Sequence, residues 1–592
     1  ENAPYREACI MGKEFSEIGS HLVNLKKKND VAILVSNEAL TALKWFGIEA
    51  TAAGNNGIGY NDVVRWIYDA LYQMNIECDF VWPESDNLEQ YKAIFVPALY
   101  AAPDELLERL KQYVADGGTL VATFKTAFAN ENIKVSHEMQ PHILSNCFGI
   151  NYQQFTFPKN VGLTGSIIRE SGADEADKNI CKAEMLTMRS MFLWIITENW
   201  GDSYLPMSTD ETEGMEARRS PRSEFYKEII EGLKTALDLL PDTRTKVYGR
   251  IDAPSVKAFL SRMYLYNEEF DKAAEMASQV IDGDYGYKLS SSLKDLWDDS
   301  KRNDEFIWTT EFVEDAAFKQ SSFYWRHYAM FIDRYPGLRT QLRYTGYGSC
   351  ITMPSVYYIS LFNHEADLRW QDLHQTVWYY NDPDDDTSMF PEMQELYVDT
   401  AFYLSVKPLS VAERNRIKTR YTAFDIDDMY DKKGIPTDRK TFIGMTKFYD
   451  HTRPGDVSTN SDRNYPVIRL AELYLIRAEA KIRGANKDLS GALDDIMALR
   501  KRATKQGHEQ EMALSETDMT LDFILEERAR ELGGEWQRWL DLKRLGKLVE
   551  HVKMFNPDAA DNIKEYHILR PIPQVQFDGM QDWTTLGQNE GY

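Results

Sequence analysis

The sequence predicts two folds in one chain: a doubly wound α/β domain over residues 1–163 and a mainly α-helical, loop-rich domain over 178–592. Residues 164–177 are read as a linker between them. Three observations carry this. Short apolar runs alternate with amphipathic helical segments up to about residue 123. Composition then turns small and polar at Thr164–Asp177 (TGSIIRESGADEAD), and the alternation stops. Beyond that point helical periodicity dominates, with paired runs at Pro254–Ile281 and across Tyr465–Lys547.

In the first domain, Val31–Ser36 (VAILVS) is a continuous apolar run suited to a buried parallel strand. Asn61–Met74 places Val63, Val64, Ile67, Leu71 and Met74 on one helical face. Cys78–Val81 and Ala93–Val96 read as further strands. Pro103 opens a helix through Val114, since a proline lacks only an N–H that the first turn leaves unpaired. Gly117-Gly118 ends it, and Thr119–Thr123 is a fourth strand. Strand, helix, strand repetition at this spacing argues for a layered α/β sheet. No GxGxxG, Walker loop or nucleophile elbow accompanies it. Gly54, Gly57 and Gly59 lack the preceding strand that a phosphate loop needs and read as a surface loop.

In the second domain, Lys182–Glu198 and Pro221–Leu240 read as helices. The hairpin Pro254–Tyr266 with Phe270–Ile281 carries Ala258, Tyr264, Ala273 and Ala277 at tetratricopeptide-like packing positions. Residues 286–464 are turn-rich and aromatic. Their Asp425, Asp427, Asp428 and Asp431 lack the mid-loop glycine and closing glutamate of a calcium loop, so a solvated acidic loop is expected. Tyr465–Lys547 reads as three helices. The first runs through Val467, Leu470, Leu473, Tyr474 and Ala478 to a stop at Gly484, and Ser490 is placed to cap the second. The third has Leu521, Ile524, Leu525 and Ala529 on one face, with charges expected on the other.

Composition narrows the function classes. Sixty-eight basic against 93 acidic residues give a net charge of −25, which repels nucleic-acid phosphates. The five cysteines (Cys9, Cys78, Cys147, Cys181, Cys350) form no CxxC pair and no metal-like spacing, so no disulfide framework, metal or cofactor is expected. No run of 18 apolar residues is present, and the chain opens on a polar stretch instead of a signal segment. With 13 Trp, 33 Tyr and 27 Phe, the chain has many rings able to stack on a sugar.

Residues 5–163 resemble the middle, trimerisation domain of family 42 β-galactosidases, through VAILVSNEALTALKWF, YNDVVRWIYDALYQMNIECDFV, YKAIFVPALYAAPDELLERLKQYVADGGTLVATF and ENIKVSH. The resemblance implies a flavodoxin-like, glutamine-amidotransferase-like fold used for subunit assembly. It places the catalytic carboxylates in a preceding barrel, of which Glu1–Ser16 could be at most the last residues, so no enzyme activity is expected. From about residue 167 the chain resembles the SusD/RagB family of glycan-binding outer-membrane lipoproteins. Six ordered blocks carry this: KAEMLTMRSMFLWIITENWGDSYLP, PSVKAFLSRMYLYNEEFDKAAEMASQVIDGDYGYKL, NDEFIWTTEF, YPVIRLAELYLIRAEAKIRG, ILEERARELGGEWQRWLDLKRLGKL, and LRPIPQVQF with GQNEGY. That resemblance implies a tetratricopeptide scaffold under glycan-binding loops, a SusC-like TonB-dependent transporter as partner, and a place at the outer membrane of Bacteroidetes. The chain departs from the family at its start, where the galactosidase-like segment stands in place of the first helices.

A sugar ring offers C–H bonds on one face and hydroxyls at its rim, so an exposed aromatic ring flanked by polar groups is the expected recognition unit. Tyr324, Trp325, Arg326 and His327 sit together in FKQSSFYWRHYAMF. Trp200 and Asp202 follow the first long helix, where the resemblance implies a second ligand loop, and Trp378, Tyr379 and Tyr380 make a third cluster. Trp297, Trp308, Trp536 and Trp539 lie in apolar-periodic or strand-like settings and are expected in the core. The leading expectation is a non-catalytic oligosaccharide- or starch-like-polysaccharide-binding protein of a glycan-uptake system. The alternatives are a β-galactosidase-derived assembly protein forming a homotrimer and a fused gene product of a glycan-utilisation locus.

Overall fold

The computed structural model describes residues 3–22, 28–45, 59–136, 138–151, 175–205, 218–298, 303–312, 322–344, 346–453, 455–456, 461–578 and 583–592. The chain divides into two compact units, Glu1–Val161 and Gly162–Tyr592. Of the expected linker, residues 164–174 lie outside the described residues, and 175–177 form the first turn of the Glu175–Trp200 helix. Gly54 and Gly57 also lie outside them.

The first unit is built on a four-stranded parallel sheet with strands β1 (Val31–Leu34), β2 (Cys78–Val81), β3 (Ala93–Val96) and β4 (Thr119–Ala122) in the order β2-β1-β3-β4. All three pairings are parallel, with Val31 opposite Cys78 on one side and Ala93 on the other. The central strands hold the apolar runs because both sheet faces there are covered: Ala32, Ile33, Leu34, Ile94 and Val96 have no exposed surface. The Asp104–Ala115 helix buries Leu106, Leu107, Leu110 and Tyr113, and the Tyr113 hydroxyl donates to the Tyr91 carbonyl (3.0 Å). Gly118 is required where the chain turns from this helix into β4, because a Cβ there would meet the Tyr113 ring at 2.2 Å.

The second unit is largely helical. Glu175–Trp200 and Arg222–Leu239 pack as one pair, and Ala253–Tyr266 with Phe270–Ile281 as the next. The periodicity of Tyr465–Lys547 is partly overruled. Tyr465–Arg469 is a strand, antiparallel to Phe306–Thr310, and the helix starts only at Leu470. Pro466 disfavours the helical region for Tyr465 before it, and Val467 and Ile468 fit an extended backbone. Nor is Leu470–Arg483 one-sided. Leu470, Leu473, Ile476 and Ala480 face the first hairpins, while Ala471, Leu475, Ala478 and Ile482 face Ala492, Ile496, Leu499 and Ile524. It is a central helix, buried on both sides. The Leu489–Ala503 helix is capped by Asp488, whose carboxylate accepts the Gly491 N–H (2.8 Å), and Ser490 is not the cap.

The charges of these helices, expected on a solvent face, are mostly interior. Arg262 pairs with Glu472 (2.6 Å). Arg469 pairs with Glu305, Glu531 and Glu535 at 2.8 Å each, and Arg369 with Asp367 and Glu527 at 2.8 Å each. Glu527, Arg528, Arg530 and Glu531 are all buried. Ion pairing on this scale is what allows these groups to leave water. The acidic loop is likewise ordered: Asp425 caps a short helix through the N–H groups of Asp427 and Asp428, and Arg414 binds both Asp425 and Asp428. Between the helices the aromatic region forms its own core around the antiparallel pair Val377–Tyr379 and Thr400–Leu404, with Thr422–Phe424 parallel beyond.

Candidate functional site

The aromatic residues expected to bind sugar are sorted by the fold. The strand containing Trp378 and Tyr379 alternates its side chains across the sheet, so Trp378 is 2% exposed against Phe402 while Tyr379 turns outward. Tyr380 points back inside. Trp325 is 1% exposed, with the Arg453 guanidinium 3.4 Å over its ring. Neither Trp325, Trp378 nor Tyr380 presents a ring face to solvent, because each fills a core position. Trp200 is pinned by its indole N–H to the Pro571 carbonyl (3.0 Å) and packs with Ile572, Phe577 and Leu586. Asp202 accepts the Arg222 backbone N–H (3.0 Å), and Asn589 donates to the Trp200 carbonyl (2.9 Å). Trp200, through its indole N–H and its carbonyl, thus ties the end of the first long helix to the C-terminal segment.

Tyr324 and His327 are brought to a different partner. Trp536, expected in the core, is 56% exposed and sits between them: its ring lies 6.0 Å from Tyr324 and 6.3 Å from His327, edge-on to both. Tyr324 in turn stacks on Tyr465 (4.8 Å), and Tyr465 on Phe448 (5.9 Å). The ring is presented by a turn that has little freedom. Lys447 donates to the Gly533 carbonyl (3.0 Å) and to Glu535 (2.8 Å), Tyr328 donates to the Gly534 carbonyl (2.9 Å), and Arg469 grips Glu535. Between the Leu521–Leu532 and Arg538–Arg544 helices the backbone takes Gly534 to φ 80° and Trp536 to φ 59°. A left-handed conformation is costly for a residue with a branched ring on Cβ, and such outliers gather at functional positions. Burial, and then the neighbouring Arg326, lower the His327 pKa, so its ring is neutral at pH 7. Trp539, also expected inside, is 42% exposed.

Two further exposed platforms escaped sequence reasoning. Tyr347 is 40% exposed beneath the Arg326 guanidinium, whose Nε donates to the Tyr347 carbonyl (3.1 Å). Tyr397 donates its backbone N–H to the Tyr380 carbonyl (2.7 Å), with the Arg343 guanidinium 4.8 Å over its ring and Gln341 donating to its hydroxyl (3.1 Å). Nothing in local periodicity marks either tyrosine; only their opposition to arginine does. Among the described residues no cluster of His, Cys, Asp or Glu is placed to hold a metal ion, and no helix is long and apolar enough to cross a membrane.

Comparison with known proteins fits this division. Residues 304–592 match the SusD family, 108–265 match a family described as starch-binding, associating with the outer membrane, and 29–174 match the β-galactosidase trimerisation domain. The last two overlap over residues 108–174. "SusD-like protein P2" of Formosa agariphila is 24% identical over 72% of this chain and 74% of its own length. A β-galactosidase of Geobacillus kaustophilus is 34% identical over 26% of this chain, which spans only 22% of that enzyme. Among solved structures, a laminarin-binding SusD-like protein superposes with TM-score 0.52 at 21% identity, covering 72% of this chain and 82% of its own. A SusD homolog from Bacteroides thetaiotaomicron gives 0.54 at 18% identity, covering 71% and 80%. The chain is thus SusD-like over its C-terminal part, joined to a segment that matches the β-galactosidase trimerisation domain.

Proposed function

We propose that the second unit binds oligosaccharide without chemical turnover, and that Trp536, with Tyr324 and His327 beside it, is a stacking platform for a sugar ring. The observation that carries this is the exposed Trp536 ring held at φ 59° by a turn tied down at three successive residues. Core packing has no use for a ring that is more than half exposed, and the strain is explained if the ring is there to meet a ligand. Tyr379 with Tyr397, and Tyr347 under Arg326, are secondary platforms on which a longer chain could continue. The SusD-like match supports a role in polysaccharide uptake beside a TonB-dependent transporter, with starch-like or laminarin-like glycans as first ligands to try. Isothermal titration against a broad glycan panel tests this. Binding lost in Trp536→Ala supports it, and silence across the panel removes it.

A second reading concerns the first unit and rests on a separate observation. Tyr68 stacks on Tyr72 (6.3 Å) and Phe80 (5.9 Å), and Trp66, Tyr72, Phe80 and Trp82 are 49%, 70%, 41% and 50% exposed. An aromatic surface of this kind on the Tyr60–Gln73 helix and edge strand β2 suits self-association, as the trimerisation-domain match suggests. We infer a homotrimer, to be measured by light scattering.

A further inference from the structure

Trp536 borders a second feature. A cavity of about 410 Å³ opens beside it, walled by Met353, Leu361, Tyr357, Trp539, Val552 and Phe555. Tyr357 stacks on Phe555 at 3.8 Å, and His551 packs against both rings at 5.1 and 4.5 Å. Several polar groups in the wall are paired, while Arg528 Nη1 and Nη2 and Gln537 Oε1 are buried without a hydrogen-bond partner. Arg528 and Arg544 hold Asp541 at 2.8 and 2.9 Å, and Arg538 donates to Leu525 O (2.7 Å) and lies 3.2 Å from His551 Nε2. His374 bonds to the Arg369 and Trp370 carbonyls. Burial, and then Arg538 and Lys547, hold the His551 pKa down to about 4, so it adds no charge at neutral pH.

Aromatic and aliphatic side chains make up most of this wall, so it suits an apolar group better than a bare sugar. A cavity of about 150 Å³ already accepts benzene, so one of about 410 Å³ has room for a substituted aromatic ring or a short acyl chain. The cavity and the platform share Trp536, whose ring meets Tyr324 and His327 while also lining the opening. We propose that the ligand is a glycan carrying an aryl or acyl substituent, with a sugar ring on Trp536 and the substituent in the cavity behind it. This rests on the platform reading above, which supplies the sugar end.

The test compares 4-nitrophenyl with methyl β-glycosides of the cello-, laminari-, xylo- and galacto-tetrasaccharides by isothermal titration of the full chain. The expected result is at least tenfold tighter binding of a nitrophenyl form than of its methyl partner. Val552→Trp and Met353→Trp, which fill the cavity from different segments, should each bring that ratio toward one; thermal melting confirms which of the two remains folded. Equal affinity for the two forms would overturn the inference and leave the platform standing. Binding of neither form, alongside silence on the glycan panel, would remove the platform reading itself. A nitrophenyl preference that persists in both folded cavity variants would place the substituent elsewhere and overturn the inference.

Discussion

Replacing Trp536 separates the two things this residue does, because its backbone and its ring act in opposite directions. At φ 59° a non-glycine residue carries strain of about 1–2 kcal/mol. The ring is 56% exposed, so about 100 Å² of apolar surface is buried against Tyr324, His327 and the turn, worth about 2.5 kcal/mol. Trp536→Gly loses the ring and relieves the strain, giving a net cost of about 1 kcal/mol. Trp536→Ala loses the ring and keeps the strain, so it should melt below the glycine variant, reversing the usual order of alanine over glycine. Both should lose about 1–3 kcal/mol of glycan affinity, the scale of one aromatic stack. Chemical denaturation reads the stability order and titration calorimetry reads the affinity. An alanine variant as stable as the glycine one would refute the strain argument, and an unchanged affinity in both would refute the platform.

Other outcomes follow from the same geometry. Arg469→Met leaves Glu305, Glu531 and Glu535 buried with one partner fewer and should cost about 3–5 kcal/mol in denaturant melts, where an exposed arginine would cost under 1. His374, buried and beside Lys447, has its pKa lowered to about 3. It stays neutral in the fold while the unfolded chain takes up a proton below about pH 6.5, so stability should fall on acidification from 6.5 toward 3. The limiting slope is about 1.4 kcal/mol per pH unit, and His374→Asn should flatten that limb of the pH–stability curve. Glu527, held down to about 2 when Arg369, Arg530 and Arg500 outweigh its burial, adds a loss between about pH 4.5 and 2. In the first unit, Tyr72→Glu places a charge on a 70% exposed ring position and should leave the fold's melting temperature unchanged while converting trimer to monomer in light scattering; a persisting trimer would move the interface elsewhere.

How much was legible depended on whether a signal was local. β1 to β4 were readable because a doubly covered strand is apolar throughout, and the hairpin at Ala253–Ile281 because its small residues recur at helical spacing. Tyr465–Arg469 was misread because Val467 and Leu470 also satisfy a helical period, and only pairing with Phe306–Thr310 decides for the strand. The four tryptophans expected in the core divided evenly. Trp297 and Trp308 are buried, but Trp536 and Trp539 follow a turn whose direction is set by Lys447, Tyr328 and Arg469, far away in sequence.

By itself the sequence determined the number of folds, the parallel sheet, the helical scaffold and the ordered blocks of the SusD-like part. These depend on composition and on periods of two to four residues, which neighbouring positions fix between them. The tertiary structure alone decided which rings are core and which are surface, and which charges are solvated and which lie in the interior. It also decided that Tyr324, His327 and Trp536 meet. Those outcomes depend on contacts between residues some two hundred positions apart, and burial is a property of the packed chain that no local pattern encodes.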